Sequence, residues 1–447
     1  MAKFSKKKPF HAPPIQSRHW AYNVALQVVR SGASRFHRIE GTDGTEYITE
    51  QETPTILVAN HQNGLMDPLV LTTIINQTQV HWLTRADIFY KKFARTILFA
   101  FNQMPIYRQR DGVDDARERN YRIFEICAER LRIGGRMGLF PEGNHRNMKT
   151  LRPLRRGISD MVNASLKLDP EMRNLVILPI GIDYEESPNF RRRLKYRIGP
   201  PLKIDALINA ETNEITPGRL LEPISEALDK LLVNIQPERA YADLLPYVKA
   251  MRTTEREDWI SCKAKIDRFK NLSDESIIDI QTALKAAVDA GVLQSARAED
   301  VGMKPEDIRS ISIWFWLISP VAILGGIPSF PLAKWLESQA QKRVKDPCFI
   351  STFKVSTGMF LFPVYWMLVA LPIAHFALGG ITLTTLLIGY LFNLLGSRIS
   401  GWWYGILLDA NGRKKAKNVW ANKSLAASWT NYLQTVNDAI ADAHPIR

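Results

Sequence analysis

The sequence predicts an α/β protein with a mixed central sheet flanked by helices, then a helical extension and C-terminal transmembrane helices. Three observations predict it. Short apolar runs alternate with longer periodic stretches from Ile39 to Pro201, the pattern of strands covered by helices. A polar, helix-rich stretch without readable motifs follows over 206–310. Ile311–Ala333 and Val355–Ser397 then contain no Asp, Glu, Lys or Arg, which suits lipid better than water.

Residues 1–38 read as a basic arm and an amphipathic interfacial helix. Eight Lys or Arg residues and no acid precede Glu40. Over Trp20–Phe36, the residues Trp20, Val24, Ala25, Val28, Ala33 and Phe36 share one side, with Asn23, Gln27, Arg30, Ser31 and Ser34 opposite. Such a helix behind a polybasic arm fits an anionic membrane surface. A helix packed on the domain has the same pattern, and both readings stand.

Residues 39–205 form the α/β domain. Strands are expected at Thr55–Ala59, Val80–Leu83, Met104–Tyr107, Met137–Phe140, Leu175–Ile180 and Leu194–Ile198, and helices at Phe89–Phe101 and Asp114–Arg132. The extension covers 206–310. Residues 311–397 hold the membrane segments. In the first, 311–333, the residues Gly325, Gly326, Pro328 and Pro331 break the second half, so it is re-entrant or spanning. Segments 355–378 and 381–397 form a spanning hairpin that turns at Gly379–Gly380. Residues 398–447 are a basic tail. Lys334, Lys342, Arg343, Lys345 and Lys354 lie between the apolar stretches, and Arg398, Arg413, Lys414, Lys415 and Lys417 follow them. A re-entrant first segment keeps all of these with the catalytic domain on the cytoplasmic face of a multi-pass membrane protein.

Composition narrows the partners. The 447 residues are 46% apolar and carry a formal net charge of +14. That charge asks for lipid, nucleic acid or a phosphorylated substrate. No nucleic-acid-binding module is recognisable, so none is expected. Cys127, Cys262 and Cys348 are few and far apart; they read as reduced thiols, with no metal spacing. Pro9, His11, Pro13 and Pro14 follow the basic start, where a secretory signal would have an apolar run.

The most informative motif is Asn60-His61-Gln62-Asn63-Gly64-Leu65-Met66-Asp67-Pro68. His61 stands at a strand tip, where loops hold functional groups on a rigid scaffold. Gly64 permits a sharp turn. Asp67-Pro68 reads as a helix start, with Asp as N-cap and Pro at the first helical position. The turn can return the Asp67 carboxylate to one ring nitrogen of His61, leaving the other to take a proton from a hydroxyl. Capping alone would also explain Asp67. Further along, Phe140-Pro141-Glu142-Gly143-Asn144-His145-Arg146 is a strand opening into a polar turn that can face an anion. Arg85 and Arg108 each follow a strand, and Pro179 interrupts one in Leu178-Pro179-Ile180-Gly181.

In this order the blocks resemble the glycerolipid acyltransferase family, the glycerol-3-phosphate and 1-acylglycerol-3-phosphate acyltransferases. The likeness covers Asn60 to Gly181, with Leu154-Arg155-Arg156-Gly157 similar to the stretch after the family's third block. The His61–Asp67 spacing is one residue longer than the family's usual. That departure looks like the subgroup similar to fungal glycerol-3-phosphate and dihydroxyacetone-phosphate acyltransferases, which also carry C-terminal membrane segments. The third block runs Glu-Gly-Asn-His-Arg where the family usually has Glu-Gly-Thr-Arg, so His145 or Arg146 stands in the place of the family's Arg.

The resemblance implies an acyltransferase-like fold and direct acyl transfer with no acyl-enzyme, metal or cofactor. The donor is acyl-CoA or acyl carrier protein, and the acceptor a glycerol-phosphate-like alcohol. His61 and Asp67 are the implied catalytic pair. Arg108, Glu142, Gly143, Arg146 and Arg85 are the implied phosphate-binding group, supported by Asn60 and Pro179. The lipid bilayer is the remaining expected partner. Two other classes stay open: a metal-dependent hydrolase using His61, Asp67, Glu142 and His145, and a non-catalytic membrane lipid-binding protein.

Overall fold

Thr55-Ile56-Leu57-Val58-Ala59 is apolar after its first residue and forms a strand buried on both faces. Its neighbours follow the same logic. The strands are β1 (Arg38–Asp43), β2 (Thr55–Ala59), β3 (Val80–Arg85), β4 (Met104–Ile106), β5 (Arg136–Leu139), β6 (Val176–Tyr184), β7 (Arg193–Ile198) and β8 (Leu202–Lys203). They form one mixed sheet in the order β1-β7-β6-β2-β5-β3-β4, with β8 against β6. Strands β2, β5, β3 and β4 run parallel, so their carboxyl ends share one edge of the sheet. β6 is parallel to β2 and antiparallel to β7. The computed structural model describes residues 20–49, 53–75, 79–108, 112–254, 259–303 and 312–443. The expected basic arm before Trp20 lies outside the described residues.

Side-chain alternation separates the two faces. Ile56 and Val58 join Met137, Leu139 and Ile177 under the helices Ala116–Arg132 and Gly157–Leu168. Leu57 and Ala59 join Leu178, Ile180 and Ile182 under the helices Met66–Ile74 and Trp20–Phe36. Pro179 sits in β6 where its partner changes from β7 to β8. There the Gly199 N–H donates to the Pro179 carbonyl at 2.9 Å, and the proline has no N–H of its own to give the ladder.

The chain divides into two units: Met1–Leu232 with Leu336–Phe360, and Val233–Trp335 with Leu361–Arg447. The expected boundary at residue 205 therefore moves to 232. The helix Pro217–Leu231 buries Leu220, Ile224 and Leu228 in the core of the first unit. A Cβ on Gly181 would stand 2.7 Å from the Leu231 carbonyl oxygen, which is why a glycine occupies the middle of β6. The helix Trp20–Phe36 answers both readings of its pattern. Tyr22, Leu26, Ala33 and Phe36 are buried, while Trp20, Val24 and Val28 stay exposed.

In the second unit, Leu244, Val248, Ile266 and Phe269 pack with Trp429, Tyr432 and Val436. Residues after 398 are thus no tail. The helix Leu383–Ala421 runs on without a break, and Lys423–Asp442 follows it. The glycines and prolines of 325–331 do not interrupt helical structure; a single 3-10 turn, Ile327–Ser329, joins Ile313–Gly326 to Phe330–Arg343. Ile313–Arg343 and Pro347–Ala377 are long and apolar enough to cross a membrane. The chain turns after them at Gly379 and Gly380, both at positive φ (78° and 151°). The uncharged part of the next helix, Leu383–Ser397, is shorter than the roughly 20 residues a crossing needs.

Candidate active site

The site begins where β2 ends. The buried Asn60 side chain continues the β2–β6 pairing like a backbone unit. Its Nδ2 donates to the Ile182 carbonyl at 2.9 Å and its Oδ1 accepts the Ile182 N–H at 2.8 Å. This clasp fixes the direction in which His61 leaves the sheet.

His61 then meets Asp67. Its Nδ1 lies 2.8 Å from Asp67 Oδ2. The same oxygen accepts the N–H of Gln62 and of Asn63, each at 2.8 Å. The other oxygen, Oδ1, accepts the Tyr184 hydroxyl at 2.7 Å. A carboxylate so supplied only accepts, so Nδ1 carries the ring proton and Nε2 presents its lone pair. No hydrogen bond among the described residues engages that Nε2. The His61 side chain keeps 16% of its exposure and Asp67 none, so the ring reaches the surface with its carboxylate partner buried behind it.

Asp67 is not the N-cap that the sequence suggested. The helix begins two residues earlier than expected, at Met66, after an uncapped Leu65. Asp67 lies inside the first turn and receives the N–H groups of the preceding loop. The helix start favours that negative charge.

Packing fixes the imidazole plane. Phe140 stacks on His61 with ring centroids 4.1 Å apart, and Trp82 stacks on Phe140 at 5.5 Å. His145 meets His61 edge-on at 5.5 Å.

Glu142 has a part other than phosphate binding. It is buried, accepts the His61 backbone N–H at 2.9 Å, and pairs with Arg152. Burial raises its pKa against the pull of Arg152. Arg152 also donates to Asn144 and, at 3.2 Å, to the His61 carbonyl. Arg146 donates its own N–H to that carbonyl at 3.1 Å. Glu142, Arg152 and Arg146 therefore hold both sides of the His61 backbone. Gly143, at φ 76°, lets the turn close beneath Arg155.

Arg85 and Arg108 follow β3 and β4, on the same sheet edge as His61. With strands about 4.8 Å apart, they lie about 10 and 14 Å away along it. The Asp87 carboxylate engages Arg85 through both oxygens, at 3.0 and 2.6 Å. The Arg85 side chain stays half exposed in this pair.

Two participants escaped the sequence reading. Arg152 sits six residues after Arg146 in a stretch rich in arginine, with nothing local to single it out. Tyr184 ends the part of β6 that Pro179 and Gly181 disguise; the alternation through Ile182 was the available signal. Burial, then the Asp67 charge, raises the Tyr184 pKa well above its usual range, so it remains a donor. His37 packs edge-on against Tyr184 at 5.3 Å, and burial pushes it down to about 3, so it stays neutral.

His145, Asp346 and Cys348 bring donor atoms within 4.8 Å of one another, the one such group found among the described residues. Asp346 already faces His145 Nε2 at 3.1 Å and accepts the Cys348 N–H at 2.9 Å. The four residues of the hydrolase reading form no such group. Glu142 points instead at the His61 backbone and Arg152.

Residues 41–183 match the family model described as Acyltransferase. That span is about a third of the chain, and it holds every sequence block from Asn60 to Gly181. Over 118 residues the chain is 31% identical to glycerol-3-phosphate O-acyltransferase 1 of Saccharomyces cerevisiae, covering 25% of this chain and 15% of that protein. Over 133 residues it is 24% identical to glycerol-3-phosphate O-acyltransferase 2 of the same yeast, covering 30% and 18%. The match thus spans less than a fifth of either relative. A solved structure, the 1-acyl-sn-glycerophosphate (LPA) acyltransferase PlsC from Thermotoga maritima, aligns with a TM-score of 0.33 and 16% identity over 48% of this chain and 82% of that one. A score that low carries no argument about the acceptor. Inside the acyltransferase domain lie His61, Asp67, Glu142, Gly143, Arg146, Arg152 and Pro179; Tyr184 falls one residue beyond the matched span.

Proposed function

We propose that the protein transfers a fatty acyl group from acyl-CoA or acyl carrier protein to a hydroxyl of glycerol 3-phosphate or a close relative, as a step of phospholipid synthesis. The observation that carries this reading is the His61 Nδ1–Asp67 contact at 2.8 Å. It leaves Nε2 as a base inside an acyltransferase-family domain. His61 Nε2 takes the acceptor's hydroxyl proton as that oxygen attacks the thioester carbonyl carbon. The tetrahedral intermediate collapses, the C–S bond breaks, and the leaving thiolate takes the proton back from the imidazolium. Asp67 stabilises the charged ring between these steps. Arg108 and Arg146 draw the acceptor phosphate to the sheet edge. No acyl-enzyme and no cofactor enter this scheme. The names of the two yeast relatives favour glycerol 3-phosphate as the acceptor.

The apolar helices support the further reading of a multi-pass membrane protein with this domain on the cytoplasmic face. An acyl product gains about 0.8 kcal/mol per methylene by staying in an apolar phase, so a site at the bilayer avoids lifting it into water. Reagents reaching Lys342 and Arg343 from the outer face would overturn that orientation.

His61→Ala is expected to lower transfer about 10²–10⁴-fold, the range of base assistance, with the fold intact. The assay offers glycerol 3-phosphate, dihydroxyacetone phosphate and 1-acylglycerol 3-phosphate, each with labelled acyl-CoA and acyl carrier protein. A folded His61→Ala protein with full transfer ends the reading. Wild-type protein that consumes no thioester with any acceptor returns the protein to the lipid-binding class.

A further inference from the structure

A segment nearly 300 residues downstream closes around the catalytic turn. Asp346 precedes a 3-10 turn, Pro347–Phe349, which leads into the apolar helix Ile350–Pro372. The first residues of this stretch, to Phe360, belong to the same unit as the sheet. Ser351 is fully buried and donates its hydroxyl to Asn63 Oδ1 at 2.9 Å. Asn63 in turn donates its N–H to Asp67 Oδ2, which holds His61. Gly64, next in the turn, sits at φ 44° under the same segment. A Cβ there would stand 2.9 Å from both the Cys348 carbonyl oxygen and the Phe349 ring. Phe349 also meets His145 edge-on at 4.8 Å, and Asp346 faces His145 Nε2 at 3.1 Å. Lys354 ties the helix back to the Pro188 carbonyl at 2.9 Å.

From these contacts we infer that Ser351 is a positioning residue for the catalytic pair. It acts through Asn63 on the turn that presents Asp67 to His61. The entry of an apolar helix thereby becomes part of the active site. The inference rests on the reading of His61 as the base. Its chemistry is simple. Asn63 Oδ1 is buried, so without the Ser351 hydroxyl it must find another donor or move. Moving Asn63 turns its N–H away from Asp67. The imidazole then loses orientation, while the sites that bind donor and acceptor are untouched. The same segment also contacts His145, which meets the His61 ring edge-on.

The test uses the full chain in membranes or detergent. Ser351→Ala is expected to lower kcat about fivefold to tenfold, the loss of one hydrogen bond's worth of alignment, with KM for donor and acceptor unchanged. Ser351→Cys keeps a weak donor and should fall between Ala and wild type. Asn63→Ala should lower kcat similarly. The Asn63→Ala/Ser351→Ala double variant should be no slower than the slower single, because one path carries both effects. Should Ser351→Ala not fold, Ser351→Cys takes its place against the same criteria. Wild-type kcat in a folded Ser351 variant, multiplicative effects in the double variant, or a loss wholly explained by the unfolded fraction would overturn the inference. His61→Ala is run beside them. Inactive His61→Ala with normal Ser351→Ala removes only the positioning role; active His61→Ala removes the mechanism itself.

Discussion

The α/β sheet region and the apolar helices from Ile313 onward are built to opposite rules. In the first, apolar side chains fill the inside. Ile56, Val58, Met137 and Ile177 have no exposure at all, and the buried polar groups include a mutually bonded set around His61. In the second, apolar side chains face out: Trp314 is 68% exposed, Phe376 82% and Leu383 86%. Among the buried positions, small and polar residues stand beside Phe315 and Trp366. Gly325 and Gly396 touch backbone to backbone, so that a Cβ on Gly325 would stand 2.6 Å from the Gly396 Cα. Trp403 donates to Ser319 at 2.7 Å, and the buried Asn393 donates to the Trp366 carbonyl at 3.1 Å. Water drives the first arrangement by the hydrophobic effect. The second makes sense where the surroundings are as apolar as leucine and close backbone packing does the work instead. Buried polarity therefore joins different things in the two regions: a loop to a helix start around His61 beside the sheet, and helix to helix in the bundle.

The largest effect expected on this contrast comes from the buried carboxylate. Asp67→Asn keeps shape but offers an amide where three N–H groups converge. Turnover should fall toward the about 10²–10⁴-fold limit of base assistance, read as kcat with folding checked by thermal melt. Retained turnover would mean that the polar cluster beside the sheet is structural, like the one in the bundle.

Next, Leu368→Asp puts a charge on an exposed position of the helix Ile350–Pro372. In lipid it should cost about 2.5–3.5 kcal/mol, seen as lost membrane integration on carbonate extraction. Ile133→Asp, at an exposed position beside the sheet, should stay within about 0.5 kcal/mol in thermal stability. Equal tolerance at both sites would dissolve the contrast.

A smaller effect belongs to pH. Burial pushes His37 and His81 from 6.5 down to about 3. Their folded pKa lies below the unfolded one, so they favour folding fully above pH 6.5 and lose that contribution as pH falls from 6.5 toward 3. Near pH 5.5 each costs about 1.4 kcal/mol. Thermal midpoints of the wild type should drop between about pH 7.5 and 5.5, and His37→Gln should flatten the slope. A midpoint independent of pH would mean that these rings are not buried neutral. Smallest, Tyr184→Phe removes one donor from Asp67 and should lower kcat about fivefold; unchanged kcat would confine the pair's support to the loop N–H groups.

How much was legible follows from range. Thr55–Ala59 and His61 were readable because a continuous apolar run and a polar residue at its end are local signals. The helix Trp20–Phe36 was readable from its period. Pro179 and Gly181 hid the last third of β6, and with it Tyr184. Their tolerance depends on Gly199 and Leu231, which are not local. The N-cap reading of Asp67 failed for the same kind of reason. Its carboxylate has a choice between its own helix and the loop N–H groups, and packing under Tyr184 makes that choice.

By itself the chain order of strand-forming runs, the blocks from Asn60 to Gly181 and the uncharged stretches determined the α/β class, the candidate pair His61 and Asp67, and the demand for an apolar environment. Each depends on neighbours a few residues apart. Only the tertiary structure decided that Glu142 braces a backbone, that residues after 398 build a core, and that Ser351 reaches the catalytic turn. Those outcomes turn on which buried polar atom meets which partner from a distant part of the chain, and hydrogen-bond geometry in a dry interior is not written in local sequence.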